Sequence, residues 1–308
     1  MQFSMRQLRY FDALARFGHF GQAAAFCSVT QPALSVQIRE MEALVGAPLI
    51  ERATRQARLT ALGEALAPRV RQILRDVDEL GEVARAARAP FSGTLRLGVI
   101  PTVAPYLLPA MAREIAALHP ALDLQPREAI TPKLLQDLEE ARLDAAILAL
   151  PHSGLPALAA VELFEEKFIL VRPPTEASRP VPGAAQLQEM RLLLLEEGHC
   201  FRDQALSFCK ISTSRATRNV MEGNSLSTLV QMVGAGLGLT LVPETALPME
   251  TRATNLALAR LPAPQPHRTI GMVWRGSSPL RGELAEIATI ISRIGMETLN
   301  QARKLLPA

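Results

Sequence analysis

Cysteine is scarce in this chain, with only Cys27, Cys200 and Cys209 among 308 residues. No Cys-x-x-Cys and no His-x3-His spacing occurs, so no metal site is expected. The first ten residues are polar and basic and lack the apolar stretch of a secretory signal. Few thiols behind such a start point to the reducing cytoplasm, where a disulfide is usually transient or redox-sensing. Aromatic residues are also few: one Trp and two Tyr leave Leu, Ala, Val and Ile to build the cores. There is no apolar run of about 18 residues, so no transmembrane helix and no membrane partner are expected. Lysine is absent from residues 1–92, which carry twelve Arg against nine acids. The remainder holds 21 basic and 21 acidic residues, so the whole net charge of +3 sits in the N-terminal third. That distribution suits contact with a polyanion. At roughly 150 residues per domain, the length implies two domains or more.

The N-terminal third reads as a winged helix-turn-helix, expected over residues 1–59. Leu8, Phe11, Leu14 and Ala15 mark one face of a first helix over 5–17, which Gly18 interrupts. A short helix follows over about 21–27, with Ala23, Ala24 and Ala25 small enough for close packing. After a Ser28-Val29-Thr30 turn, Gln31-Pro32 opens the next helix, where proline's missing N–H has no helical partner. Leu34, Ile38, Met41 and Val45 form its buried stripe, and Gly46 stops it. Gln31, Ser35 and Arg39 recur on another face. With Pro32 and Gln37 they form the candidate DNA-reading set, because base edges and phosphates require short polar groups and arginine near a helix start. A solvated helix face is the plainer alternative for a polar stripe alone. Arg52 and Arg55, in the wing that follows, are the expected phosphate or minor-groove contacts. Cys27 sits among small and apolar neighbours and reads as core.

From Thr60 to Arg88 the chain reads as one long helix, followed by Ala89-Pro90-Phe91-Ser92-Gly93. Leu62, Leu66, Val70, Ile73, Val77, Leu80 and Ala84 make a heptad-like seam suited to a partner helix. Residues 60–92 are thus the expected linker and dimerisation helix. Arg6-Gln7-Leu8-Arg9-Tyr10-Phe11, Thr30-Gln31-Pro32-Ala33-Leu34-Ser35 and Pro48-Leu49-Ile50-Glu51-Arg52 together resemble the DNA-binding domain of the LysR family. The resemblance implies a dimer that places two recognition helices in double-stranded promoter DNA, assembly of dimers into a homotetramer, and contact with RNA polymerase.

Residues 93–308 alternate short apolar runs with helices, the pattern of an α/β domain with largely parallel strands. Strands are expected at 94–100, 122–129, 144–150, 168–171, 191–197, 218–221, 237–242 and 268–274. Helices are expected at 106–118, 132–142, 200–210, 225–233 and 282–296. This part resembles the two-lobed, periplasmic-binding-protein-like (Rossmann-like) effector domain of the LysR family. The resemblance implies one lobe from about 93–165 and 268–301 and another from about 166–267. Gly234-Ala235-Gly236-Leu237-Gly238 lacks a following Gly-Lys-Ser/Thr and reads as a helix end feeding a strand, not a phosphate loop. No cofactor is expected.

Gly198-His199-Cys200-Phe201-Arg202-Asp203-Gln204, with Cys209 nine positions after Cys200, resembles the redox segment of the peroxide-sensing branch of that family. The resemblance extends to Ile100-Pro101-Thr102-Val103-Ala104-Pro105 and Arg268-Thr269-Ile270-Gly271 and covers essentially the whole chain. It implies that hydrogen peroxide is the signal, that Cys200 becomes a sulfenic acid, and that Cys209 resolves it as a disulfide controlling oxidative-stress genes. It also implies Thr102, Thr131 and His199 as donors to the departing oxygen, with Arg275 a weaker candidate. The residues themselves say less. Cys200 stands where a helix starts, and unpaired N–H groups and the helix dipole there favour a thiolate. His199 and Arg202 are available to add positive charge or hydrogen bonds. Asp203 is expected to pair with Arg202 or Lys210 or to cap the helix. If residues 201–209 are helical, the two cysteine Cα atoms lie roughly 13 Å apart, whereas a disulfide needs about 4.4–6.8 Å. Oxidation would then have to unwind or move the segment. Two readings stay open beside this one: a regulator that binds an organic effector between the lobes, and a thiol peroxidase. A DNA-binding domain argues against bulk catalysis, so no enzyme is expected.

Overall fold

A computed structural model describes residues 2–51, 57–151, 158–209, 220–252 and 254–307. It falls into two compact units, Met1–Ala84 and Arg85–Ala308. The first holds α1 (Met5–Phe17), α2 (Phe20–Phe26), α3 (Gln31–Val45), the short strands β1 (Ile50–Glu51) and β2 (Arg58–Leu59), and most of α4 (Ala61–Arg88). Local chemistry sets the helix ends. Ser4 and Gln7 form a capping box at α1. Thr30 accepts the Ala33 N–H at the start of α3 and Pro32 follows in the first turn. Gly46, at φ 80°, closes α3 in the left-handed conformation that glycine adopts without strain. Leu8, Phe11, Leu14, Leu34, Ile38 and Met41 meet in one core, joined by Leu49, Ala67 and Val70. β1 and β2 pair antiparallel as the wing. The α4 seam divides: Val70 is buried in this core and Leu66 lies against it, while Leu62, Ile73 and Leu80 are exposed. Part of the seam therefore does not face a partner, because the first turns of α4 pack on their own domain.

The second unit contains β3 (Gly93–Val99), α5 (Ala104–Leu118), β4 (Leu122–Glu128), α6 (Thr131–Glu139), β5 (Ala145–Leu150) and the fifteen-residue β6 (Leu158–Arg172). Then come α7 (Ala184–Leu187), β7 (Leu192–Leu195), α8 (Cys200–Phe208), β8 (Val220–Gly223), α9 (Leu226–Gly234) and β9 (Thr240–Pro243). The chain ends with α10 (Leu247–Glu250), β10 (Ala257–Arg260), β11 (His267–Arg275) and α11 (Arg281–Arg303). The strand order is β10-β6-β11-β5-β3-β4, with β9 also on β6, and β7 pairs β8 in a separate small sheet. This is the α/β architecture expected, but its strands are not largely parallel. β3–β4, β3–β5 and β7–β8 are parallel, while β11–β5, β11–β6, β6–β9 and β10–β6 are antiparallel. The reason is β6, which runs onward from one core into the next and is met by a returning β11.

Two cores result. Lobe I gathers Leu97, Val99, Met111, Ile147, Met272 and Ile291. Lobe II gathers Phe168, Leu170, Leu193, Phe201, Val230 and Leu241. Leu163 and Phe164 of β6 belong to the first, and Phe168–Val171 to the second. α11 likewise ends in lobe II, where Ala302 is buried. Among the described residues no helix is long and apolar enough to cross a membrane.

Candidate functional site

The cysteine segment is built by β7, whose four leucines are all buried and fix the point at which α8 begins. Gly198 then turns the chain at φ 92°. A Cβ there would lie 2.7 Å from Cδ1 of Ile130, so the segment docks against the residue that precedes α6. His199 is the N-cap of α8 and Cys200 its first residue. Cys200 is a free, half-buried thiol that packs against the lobe I core, although its helix belongs to lobe II. Cys209 caps the other end of α8, free and 1% exposed in the lobe II core. Burial pushes its thiol up to about 11. Its carbonyl accepts from Nε2 of Gln188 at 2.8 Å. α8 is therefore a helix between the cysteines, and the separation of roughly 13 Å anticipated for nine helical steps applies.

Thr131 opens α6, next to Ile130. It is 2% exposed and its Oγ1 has no hydrogen-bond partner among the described residues. A buried hydroxyl without a partner is costly and draws attention to a ligand or water it would serve. Thr102, after β3, is equally buried, and its Oγ1 accepts from Nη1 of Arg268 at 2.8 Å, leaving its own proton to donate elsewhere. Burial lowers the pKa of His199 against the opposing pull of Glu196, so the neutral imidazole is the favoured form. Of the two roles left open for His199, this shift favours hydrogen bonding over positive charge.

Of the roles left open for Asp203, the pairing with Arg202 is not made, and Lys210 lies outside the described residues. The Arg202 guanidinium reaches the Leu195 carbonyl at 2.9 Å and Oε1 of Glu222 at 2.6 Å, pinning α8 to β7 and β8. Asp203 is exposed in the first turn of α8, where a carboxylate suits the helix dipole. Arg275 donates to the carbonyls of Leu138, in the last turn of α6, and Leu143, beyond it, and these bonds hold it at the end of α6 remote from Thr131. Carbonyls at a helix C-terminus attract a cation.

Sequence reasoning missed a buried network on the two crossing strands. Arg268 of β11 pairs with Glu166 of β6 at 2.7 Å, both side chains fully buried. Glu166 also accepts from the backbone and hydroxyl of Thr245. The Arg268 guanidinium lies 5.2 Å from the Phe201 ring centroid, a cation–π contact with the residue beside Cys200. Phe201 in turn meets Phe168 edge-on, their centroids 4.8 Å apart. A Glu-Glu-Lys run inside an apolar strand was the available signal.

In the N-terminal unit Gln31, Pro32 and Arg39 are exposed on α3, and Ser35 and Gln37 half-buried. Gln37 donates to Glu40 at 2.7 Å, and Arg39 Nε reaches the Ser35 carbonyl. Arg52 and Arg55 lie outside the described residues.

A capped recognition helix and wing, followed by a two-lobed domain with a cysteine at a helix start, define a DNA-binding regulator with a sensor. Residues 5–64 match the bacterial regulatory helix-turn-helix protein, lysR family, and residues 88–292 match the LysR substrate binding domain. The chain belongs to the LysR family of transcriptional regulators. Within it, the chain is 44% identical over 292 residues to a probable hydrogen peroxide-inducible genes activator of Streptomyces viridosporus, covering 94% of this chain and 93% of that one. It is 39% identical over 290 residues to the DNA-binding transcriptional dual regulator OxyR of Escherichia coli K12, covering 94% of each. A full-length OxyR mutant from Pseudomonas aeruginosa superposes with a TM-score of 0.75 at 32% identity over 95% of each chain. A Corynebacterium glutamicum OxyR mutant with H2O2 bound gives 0.67 at 35%, over 99% of this chain and 96% of that one.

Proposed function

We propose that this chain is a cytoplasmic, peroxide-responsive regulator in which Cys200 is oxidised first and Cys209 resolves it. The carrying observation is the half-buried Cys200 thiol at the start of α8, on a segment docked against Ile130, the residue before Thr131, whose buried hydroxyl has no partner among the described residues. The Cys200 thiolate attacks one peroxide oxygen; the O–O bond breaks, and the departing hydroxide takes a proton and leaves as water. Thr131, Thr102 and His199 are the donors proposed for that role. The sulfenic acid then condenses with the Cys209 thiol, giving a disulfide and a second water. α8 has to unwind for this step, and the cost is what the signal works against. One turnover per signal suffices, so the reading is a sensor, not an enzyme. Gln31, Pro32, Ser35, Gln37 and Arg39 of α3 enter the DNA major groove, with Arg52 and Arg55 on phosphates. The exposed Leu80 and Ile73 of α4 supply dimer contacts, dimers pair into a tetramer, and RNA polymerase is the downstream partner. Mass spectrometry of the peroxide-treated protein, paired with DNA footprinting, tests the scheme. A Cys200–Cys209 disulfide with a changed footprint is expected; a changed footprint in a Cys200→Ser protein would overturn it.

A further inference from the structure

Another buried carboxylate joins the lobes at a point the cysteine chemistry does not use. Glu250, the last residue of α10, is 5% exposed. Its Oε1 accepts from the Tyr106 hydroxyl at 2.8 Å and from the Ser227 hydroxyl at 2.6 Å. Tyr106 stands in the first turn of α5, a lobe I helix, yet its ring packs against the lobe II core. Ser227 stands in the first turn of α9. The carboxylate thus fastens the start of α9 to the start of α5.

The start of α9 is also linked to α8 through contacts already described. Arg202 of α8 holds Glu222 of β8, and β8 leads within two residues into Ser225, which caps α9 by accepting the Thr228 N–H. Unwinding α8 withdraws Arg202 from Glu222 and Leu195. The end of β8 then loses a tether just before the cap.

We infer that Tyr106, Glu250 and Ser227 form a latch made only while α8 is helical, so that oxidation of the cysteine pair releases α9 from lobe I. The three are positioning residues: none touches the reacting sulfur. The inference rests on the Cys200–Cys209 reading. A bond present only in the dithiol state holds the equilibrium toward the dithiol, and by linkage its removal favours the disulfide.

The test equilibrates the full-length protein with glutathione buffers. Oxidised glutathione takes two electrons from the dithiol, so the protein dithiol and one oxidised glutathione give the protein disulfide and two reduced glutathiones. Tyr106→Phe, which keeps the ring, is expected to raise that equilibrium constant three- to tenfold, tenfold corresponding to about 30 mV for this two-electron couple. Ser227→Ala, at an exposed position, is expected to shift it the same way. The double variant is expected to shift no further than the larger single one, because breaking either link breaks the latch. Both single variants staying within twofold of wild type, a shift toward the dithiol, or a strictly additive double variant would overturn the latch. Should the wild-type protein form no 200–209 disulfide, the sensing reading itself falls and takes the latch with it.

Discussion

The two ends of α8 differ in almost every respect that matters for thiol chemistry. Cys200 lies at the positive end of the helix, half-buried, against the core of the lobe its helix does not belong to. Cys209 lies at the negative end, fully buried in its own lobe, with its thiol pushed up to about 11. A thiolate needs stabilising N–H groups and access, and only the first end supplies both. One helix therefore carries a half-buried thiol at its positive end and a fully buried one at its other end, and the proposed roles rest on that difference.

The largest effect follows from removing the first end. Cys200→Ser is expected to abolish peroxide-dependent oxidation of the protein, read by mass spectrometry, while Cys209→Ser still yields a sulfenic acid trapped by dimedone. Equal loss in both variants would erase the asymmetry.

Next in size is the buried pair beneath the Cys200 end. Arg268→Met leaves the Glu166 carboxylate buried without its cation and strips the cation–π contact from Phe201. Loss of about 3–5 kcal/mol in denaturant unfolding is expected. A loss below 1 kcal/mol would mean that Thr245 alone satisfies Glu166.

A smaller change separates the ends more finely. Gly198→Ala places a Cβ on Ile130 and a side chain at φ 92°, at a cost of about 1–3 kcal/mol. Peroxide oxidation at Cys200 should slow several-fold, while alkylation of Cys209 in the urea-unfolded protein stays unchanged. Unaltered peroxide kinetics would detach the docking against Ile130 from the chemistry.

The asymmetry was only half legible in the residues. The helix start at Cys200 follows from Gly198 and the leucine strand before it, and the start and stop of α3 follow from Gln31-Pro32 and Gly46. What stayed hidden depends on distant partners. Glu162, Glu165 and Glu166 break the apolar pattern of β6, so only its residues 168–171 read as strand. Yet Glu166 is inside because Arg268, a hundred residues later, is inside with it. Arg275 went astray for the same reason: its partners are carbonyls at the end of α6, and no side-chain pattern marks them. Tyr106, Glu250 and Ser227 come from three separate helices, and only the fold brings them to one oxygen.

The smallest expected effect concerns pH at the Cys200 end. Burial lowers the His199 pKa, so between its folded value and the ordinary value of about 6.5 the unfolded chain holds a proton that the folded chain does not. Stability from this group is therefore complete above pH 6.5, falls as the pH drops through that value, and levels off below the folded value. Glu196, which raises the His199 pKa, narrows that window. His199→Gln keeps a polar side chain without a titrating group and should flatten this part of the Tm profile between pH 7 and 5. Buried Cys209 changes stability in the alkaline range instead: its contribution is complete below the ordinary thiol value and is lost as the pH rises through about 11. Acid sensitivity should therefore follow the His199 end of α8 and alkaline sensitivity the Cys209 end. A His199→Gln protein with the wild-type acid profile would show that the imidazole is as solvated folded as unfolded, and would remove it from the donors proposed for Cys200.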